Sequence, residues 1–482
     1  MPNYTRRETL GIMAGASAGF GAPRKQPNIL YIMADDHAAH AISAYGSRIN
    51  KTPNIDRLAR GGMRMDNVFC TNSICTPSRA AILTGQYSHR NGVYTLADQL
   101  DPKRNHAAKE LQSAGYQTAM IGKWHLVTEP AGFDYWNILP GQGVYYDPVF
   151  IDRTGKKKHE GYCTDLIADF SLDWLKKRDR SKPFFLMSHH KAPHRPWDPA
   201  PKYAKLFDGQ TIPEPDNLYD HYEGKPKSVA GVKMRVGEDS VERDVKRPIP
   251  TDLKGDALRK WAYQYYIKDY LRCIQSVDDN VGRMLDYLDQ DGSAGDTIVI
   301  YTSDQGFFLG DHGWYDKRLM YEESLRMPFL VRYPGAIRPG SVNGDIALNV
   351  DFAPTFLDYA GSKAPAEMQG RSFRANLEGR TPKNWRQSMY YRYWMHNSND
   401  HHVPGHYGVR TKDWKLIYYY GKPLGMKGAQ EPATEPDWEL FDMQKDPREM
   451  KNLYRDPAHA GTVKKLQAEL DRLQKETGDQ PA

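Results

Sequence analysis

Cys75 opens the segment Cys75-Thr-Pro-Ser-Arg79, which runs on into Ala80-Ala-Ile-Leu83 and Thr84-Gly85. Pro77 suits a first helical turn, where its missing N–H breaks no bond. The segment therefore predicts a helix that begins at Cys75, with free N–H groups and the positive end of the dipole gathered round the sulfur. Arg79, one turn on, points back to the same spot. Together they read as an anion site holding a sulfur nucleophile; taken alone, a buried cysteine beside a helix start would be the plainer reading. Two other pairs, Asp35-Asp36 and Asp304-Gln305, offer only hard oxygen donors, a set that suits Ca²⁺ or Mg²⁺ and argues against zinc. A third group, Lys123 and His125, then His189, His190 and His194, and finally Lys317, brings ammonium and imidazole groups to the same list.

These residues follow apolar runs. Asn28–Ala34 leads into Asp35-Asp36-His37, Gln117–Gly122 into Lys123-Trp-His125, Phe184–Ser188 into His189-His-Lys191, and Thr297–Ser303 into Asp304-Gln-Gly306. Runs this short and apolar on both faces predict buried parallel strands. Helical stretches lie between them, at Asn105–Ala114, Asp165–Lys177 and Trp261–Asp289, so the fold class is α/β with a mostly parallel sheet covered on both sides. Ligands of such sheets bind outside the carboxyl ends of the strands, where all four polar clusters fall. Ala200–Leu258, rich in Pro, Gly and charge, reads as a long surface excursion. From residue 385 the strands become aromatic and turn-bounded (Ser388–Trp394, Tyr407–Thr411, Trp414–Tyr420, Trp438–Asp442), and a helix follows over Gly461–Thr477. The expected units are 1–25 as an export signal or disordered tail, 26–384 as a catalytic domain, and 385–482 as a smaller antiparallel sheet plus helix.

A chain of 482 residues with 39% hydrophobic and 26% charged residues is ordinary for a globular protein. No apolar run approaches the ~20 residues needed to span a bilayer. The net charge of +6 suits an anionic substrate, but no Lys/Arg run is of the kind that binds nucleic acid; Lys156–Lys158 is the densest cluster and reads as a solvated loop. The paired Arg6-Arg7 before a short Gly/Ala-rich stretch have the layout of a twin-arginine export signal, which implies a periplasmic or secreted protein. Four cysteines without CxxC spacing leave the compartment open.

The Cys75 segment resembles the signature of the type I sulfatases, and the resemblance runs from Pro27-Asn-Ile-Leu30 to Glu439-Leu-Phe-Asp442 and Lys445-Asp-Pro447. It implies an alkaline-phosphatase-like fold and conversion of Cys75 to formylglycine (3-oxoalanine) by a maturation enzyme. A cysteine that attacked sulfur would keep the sulfonyl group as a stable adduct. A hydrated aldehyde has two hydroxyls: one attacks, the other lets sulfate leave. The resemblance further implies Ca²⁺, with Mg²⁺ the alternative, on Asp35, Asp36, Asp304 and Gln305; many relatives have Asn where Gln305 stands. It gives Lys123 and Lys317 to sulfate oxygens, His125 to the hydroxyl nucleophile, and His194 to the leaving alcohol as general acid, with His189 and His190 as competitors.

Within that family His190–Trp197, Gly310–Arg318 and His406–Thr411 look most like sulfatases of glycosaminoglycans and mucins that act on the 6-sulfate of N-acetylglucosamine. Asp316, Arg318 and His406 would then contact the sugar; a surface ion pair and a satisfied loop histidine are the plainer readings. The rivals are a sulfatase for another sugar or an aryl or alkyl sulfate, a phosphomonoester or phosphonate hydrolase on the same fold, and a catalytically silent glycan-binding protein. The partners implied are a sulfated saccharide and the maturation enzyme, with no nucleic acid and no membrane span; oligomeric state is left open.

Overall fold

A computed structural model describes residues 26–482; the expected export signal lies outside the described residues. Eight strands are needed to follow the site: β1 (Asn28–Ala34), β2 (Met63–Phe69), β3 (Gln117–Lys123), β4 (Tyr135–Leu139), β5 (Val149–Asp152), β6 (Gly155–Lys158), β7 (Phe184–His189) and β8 (Thr297–Ser303). They belong to one large sheet in the order Ser341–Asn343, β2, Arg326–Arg332, β8, β1, β7, β3, β4, β5, β6. β1 lies at its heart, parallel to both β7 and β8, and β3 is parallel to β7 and β4. Antiparallel pairs occur toward the ends, where Arg326–Arg332 joins β8 to β2 and where β5 and β6 follow β4.

The four runs expected as strands are β1, β3, β7 and β8. All seven residues of β8 are buried, as are six of the seven in β1. That fits a centre covered on both faces, and each fully buried Ile, Leu or Val contributes roughly 1.5–3 kcal/mol. One face carries the helices Cys163–Lys177 and Gly255–Gln290, whose Ile167, Leu172, Ile274 and Leu285 pack with Leu30, Ile32 and Leu186. The other carries Cys75–Thr84 and Phe352–Tyr359, whose Ile82, Leu83, Phe352 and Phe356 pack with Ile29, Tyr31 and Met33. Alternate side chains of β1 thus enter opposite cores, as a period of two requires.

The C-terminal strands Ser388–Tyr393, His406–Thr411, Trp414–Tyr419 and Asp437–Asp442 form an antiparallel sheet in sequence order. The helix Ala460–Thr477 lays Leu466, Leu470 and Leu473 against it. This sheet reaches the catalytic half directly: the Tyr391 hydroxyl donates to the Arg318 carbonyl and accepts from the Ser73 N–H.

The stretch 200–258 corrects the expected surface excursion. Before the long helix begins at Gly255 it has only short helices, yet Ile212, Leu218, Val229, Val232, Met234 and Val236 are buried. The Met234 carbonyl accepts from Tyr315 N, and Val236 N donates to Gly313. Val232, Met234 and Val236 alternate with Lys233 and Arg235 at the strand period of two, but that run is short and Ile212, Leu218 and Val229 share no period with it, so little in the sequence marks the stretch as a whole for burial.

Candidate active site

The helix Cys75–Thr84 starts where the Pro77 argument puts it. Ile74 is extended and offers no side-chain cap, and all ten helical residues are buried. Uncapped N–H groups at a buried helix start favour an anion. The Cys75 Sγ lies 3.5 Å from Asp35 Oδ1, and burial together with the Asp35 charge pushes its thiol well above the ordinary range. Unmodified, this sulfur is a protonated and weak nucleophile.

Arg79 is almost fully buried behind it. Its Nε donates to Asp304 Oδ2 at 2.9 Å, Nη1 to the Lys123 carbonyl at 2.5 Å, and Nη2 lies 3.6 Å from Asp35. Lys123 Nζ donates to Asp35 and to Gln142 Oε1, and Lys317 Nζ donates to the Asp36 carboxylate at 2.7 Å. Three strand ends and the loop after β8 thus converge on two aspartates.

Asp35, Asp36 and Asp304 present oxygens within 4.8 Å of one another. Burial pushes Asp304 up to about 7, with the Asp35 charge adding to it, and burial pushes Asp36 up to about 6 against the pull of Lys317. Burial acts on Asp35 too, but the charges of Lys123 and Arg79 outweigh it and hold that carboxyl well below the usual range. Gln305 Nε2 donates to Asp36, while its Oε1 is buried without a hydrogen-bond partner. Three crowded carboxylates and a free amide oxygen make an all-oxygen set that fits a hard divalent cation.

His194 Nε2 lies 3.8 Å from Asp36 Oδ2, and its ring nitrogen also clusters with Cys75 and Asp35. His194 Nδ1 is 2.6 Å from the Arg195 carbonyl and so carries the proton. Burial and Lys123 hold this imidazole well below its ordinary value, leaving it neutral with Nε2 facing the site. His125 is held down by burial, Lys123 and Arg79, and its Nδ1 has no partner. Of the competing histidines, His189 turns Nδ1 to the Lys123 carbonyl at 3.2 Å, and both nitrogens of His190 are buried without partners.

Backbone strain is present here, as it is at ten other non-glycine positions among the described residues. Asp36, His125, Asp316 and Arg318 all have left-handed φ, at 67°, 55°, 77° and 92°, a cost that only a well-determined surrounding sustains. Gly122 (φ 97°) is required before Lys123, because a Cβ there would sit 2.0 Å from the His189 carbonyl oxygen. Gly306, just past the Asp304-Gln305 pair, is equally pressed on the Glu323 carbonyl.

Asp316 and Arg318 flank Lys317 as expected, with Arg318 Nε 3.5 Å from Asp316 and Nη1 donating to the Tyr393 hydroxyl. His406 is elsewhere. It is fully buried between Tyr391, Tyr393 and Tyr419, its Nδ1 2.8 Å from the Pro404 carbonyl. A packed β-sheet ring explains that place. The histidine that meets the cluster is His401, whose Nε2 lies 3.2 Å from Asp316 Oδ2. His401 stands in an irregular loop whose sequence carries no periodic signal. Gln142 was also missed, although it follows β4 and the strand-end rule would have found it.

The sulfatase family pattern matches residues 27–362, and that of the N-sulphoglucosamine sulphohydrolase C-terminal region matches 310–476. The chain belongs to the sulfatase family and is a hydrolase of sulfate esters, a family that works with formylglycine and a divalent metal. It is 43% identical to an N-acetylglucosamine-6-O-sulfatase of Bacteroides thetaiotaomicron over 94% of this chain and 87% of the relative. It is 29% identical to the human N-acetylglucosamine-6-sulfatase over 82% of this chain and 72% of the other. A structure solved in complex with its substrate D-glucosamine-2-N,6-O-disulfate superposes with a TM-score of 0.89 at 43% identity, covering 94% of this chain and 98% of that one.

Proposed function

We propose that the protein removes the 6-O-sulfate of N-acetylglucosamine in a glycosaminoglycan or mucin-type glycan, at a formylglycine made from Cys75. The reading is carried by one juxtaposition: Cys75 Sγ, an Asp35 oxygen and a His194 nitrogen lie within 4.8 Å of one another, beside Lys317 and the Asp316–His401 pair. Similarity to proteins named for this activity, one of them solved with a 6-O-sulfated glucosamine, supports the sugar.

Asp35, Asp36, Asp304 and Gln305 would hold the cation, calcium by preference, which when bound supplies positive charge to a sulfate oxygen and to the nucleophile. Hydrated formylglycine supplies two hydroxyls on one carbon, one for attack and one for release of sulfate. Around them, Lys123, Lys317 and the uncapped helix start orient the sulfate and stabilise its developing charge. Arg79 fixes the Asp304 and Asp35 carboxylates. His125, neutral, accepts the proton of the attacking hydroxyl. His194 takes up a proton from solvent at Nε2 once the negative charge of the bound sulfate has raised its affinity, and passes it to the departing sugar oxygen. Asp316, Arg318 and His401 grip sugar hydroxyls.

The test is mass spectrometry of the Cys75 peptide from chain co-expressed with a maturation enzyme, followed by sulfate release. Formylglycine at Cys75 and preference for 6-sulfated N-acetylglucosamine over 4-sulfated galactosamine and 2-sulfated uronic acid are expected. A stronger rate on nitrophenyl phosphate than on nitrophenyl sulfate would overturn the reading. Export to the periplasm or beyond belongs to the same proposal and is checked by cell fractionation.

A further inference from the structure

β6 (Gly155–Lys158) ends the large sheet, and all four of its residues are exposed. Three are consecutive lysines. None of Lys156, Lys157 and Lys158 forms an ion pair or side-chain hydrogen bond with another described residue, whereas the neighbouring carboxylates are engaged locally: Asp147 accepts from Gly161 N and Asp152 from Thr154. Only Glu160 nearby has no such partner. The register pairs Lys158 with Val149 and Lys156 with Ile151, and Ile151 pairs with Ile138 near the end of β4. The lysines therefore stand level with the carboxyl edge that carries the active site. Three strand spacings of ~4.8 Å separate β6 from β3, so they lie about 14 Å along that edge from Lys123.

The chain between is not neutral ground. Residues 142–148 start at Gln142, hydrogen-bonded to Lys123, and expose Val144 (55%) and Tyr146 (42%), whose hydroxyl is anchored on the Pro199 carbonyl. An exposed aromatic ring followed by unpaired ammonium groups is the chemistry that engages a sulfated sugar chain: the ring covers an apolar sugar face and the lysines meet sulfate or carboxylate.

Resting on the activity proposed above, we propose that residues 144–146 and β6 form a secondary binding track for the polyanionic chain whose 6-sulfate enters the site. Lysines on an edge strand also deter pairing with other chains; that role alone would make their loss cause association, with affinity unchanged.

The experiment compares K156Q/K157Q/K158Q and the K156R/K157R/K158R control with the parent chain, each carrying Cys75→Ala for equilibrium binding of long heparin fragments. The glutamine variant should bind roughly five- to tenfold more weakly and with a shallower salt dependence, and the arginine control should bind as the parent does. With Cys75 restored, kcat and KM on 6-sulfated N-acetylglucosamine should be unchanged. Equal heparin affinity of the glutamine variant and the parent, or equal losses on polymer and monosaccharide, would overturn the track. Failure of every chain to release sulfate from the monosaccharide would sink the proposed activity instead, while the heparin comparison still decides the track.

Discussion

Asp304→Asn separates the electrostatics of the carboxylate cluster from the fold that holds it. In the metal-stripped protein Asp304 is buried with oxygens of Asp35 and Asp36 within 4.8 Å, a distance at which each pair of charges repels by roughly 3.5 kcal/mol at an effective dielectric of about 20. Arg79 Nε, 2.9 Å away, offsets part of this. The balance leaves Asp304 at about 7, well above its usual 3.8. Folding therefore takes up a proton at this group. Its contribution is full below pH 3.8 and is lost as the pH rises through about 7, so an ionised Asp304 costs the metal-free chain about 4 kcal/mol at pH 8. Asparagine keeps the shape and an acceptor for Arg79 but carries no charge. Thermal unfolding of the EDTA-treated variant is expected to give a higher midpoint than the parent at pH 8, with the gap closing toward pH 5. Added calcium should raise the midpoint of the parent and scarcely that of the variant. A variant less stable than the parent at pH 8 without metal, or stabilised equally by calcium, would refute this account.

Cys75→Ala should abolish turnover while keeping the calcium-dependent rise in unfolding temperature, since the side chain is not among the oxygen donors and makes one hydrogen bond, at 3.5 Å to Asp35. His401→Ala is expected to raise KM for 6-sulfated N-acetylglucosamine far more than for a small aryl sulfate, measured by sulfate release. His406→Ala should instead cost about 2–4 kcal/mol of stability by opening a hole among Tyr391, Tyr393 and Tyr419, read from the unfolding midpoint. His312, held down to about 4 mainly by burial despite its Asp220 partner, contributes stability that is full above pH 6.5 and is lost as the pH falls toward 4. His312→Asn should flatten that acid limb by up to about 1.4 kcal/mol per pH unit.

The parallel centre of the sheet was legible because β1, β3, β7 and β8 are unbroken apolar runs ending in polar residues. Such runs have few alternatives to burial on both faces. The Cys75 helix was legible from one proline and an alanine-rich continuation. Less could be read where contacts join segments far apart in the chain. His406 and His401 are five residues apart and equally histidine. The one sits in a strand whose alternation turns it into tyrosines, and the other in a turn that tertiary contacts bring to Asp316. Likewise Val232, Met234 and Val236 alternate as a strand would, but that their backbone meets Gly313, Trp314 and Tyr315, far along the chain, has no local trace. Aspartate and histidine enter the left-handed region more readily than most residues, but their type alone does not say that Asp36, His125 and Asp316 do so here, and Arg318 has no such leaning.

The depth of Cys75 also sets an order of events. With 1% of its surface exposed, at the first turn of a helix buried along its whole length, the thiol is out of reach of any second enzyme once the chain has folded. The conversion proposed for it must come earlier, while the Cys75–Arg79 stretch is still extended and can thread into another protein's cleft. Folding then acts as a clock. A chain that collapses before it is modified is locked in the thiol form, so faster folding would lower the fraction of working molecules even as it raised the yield of protein.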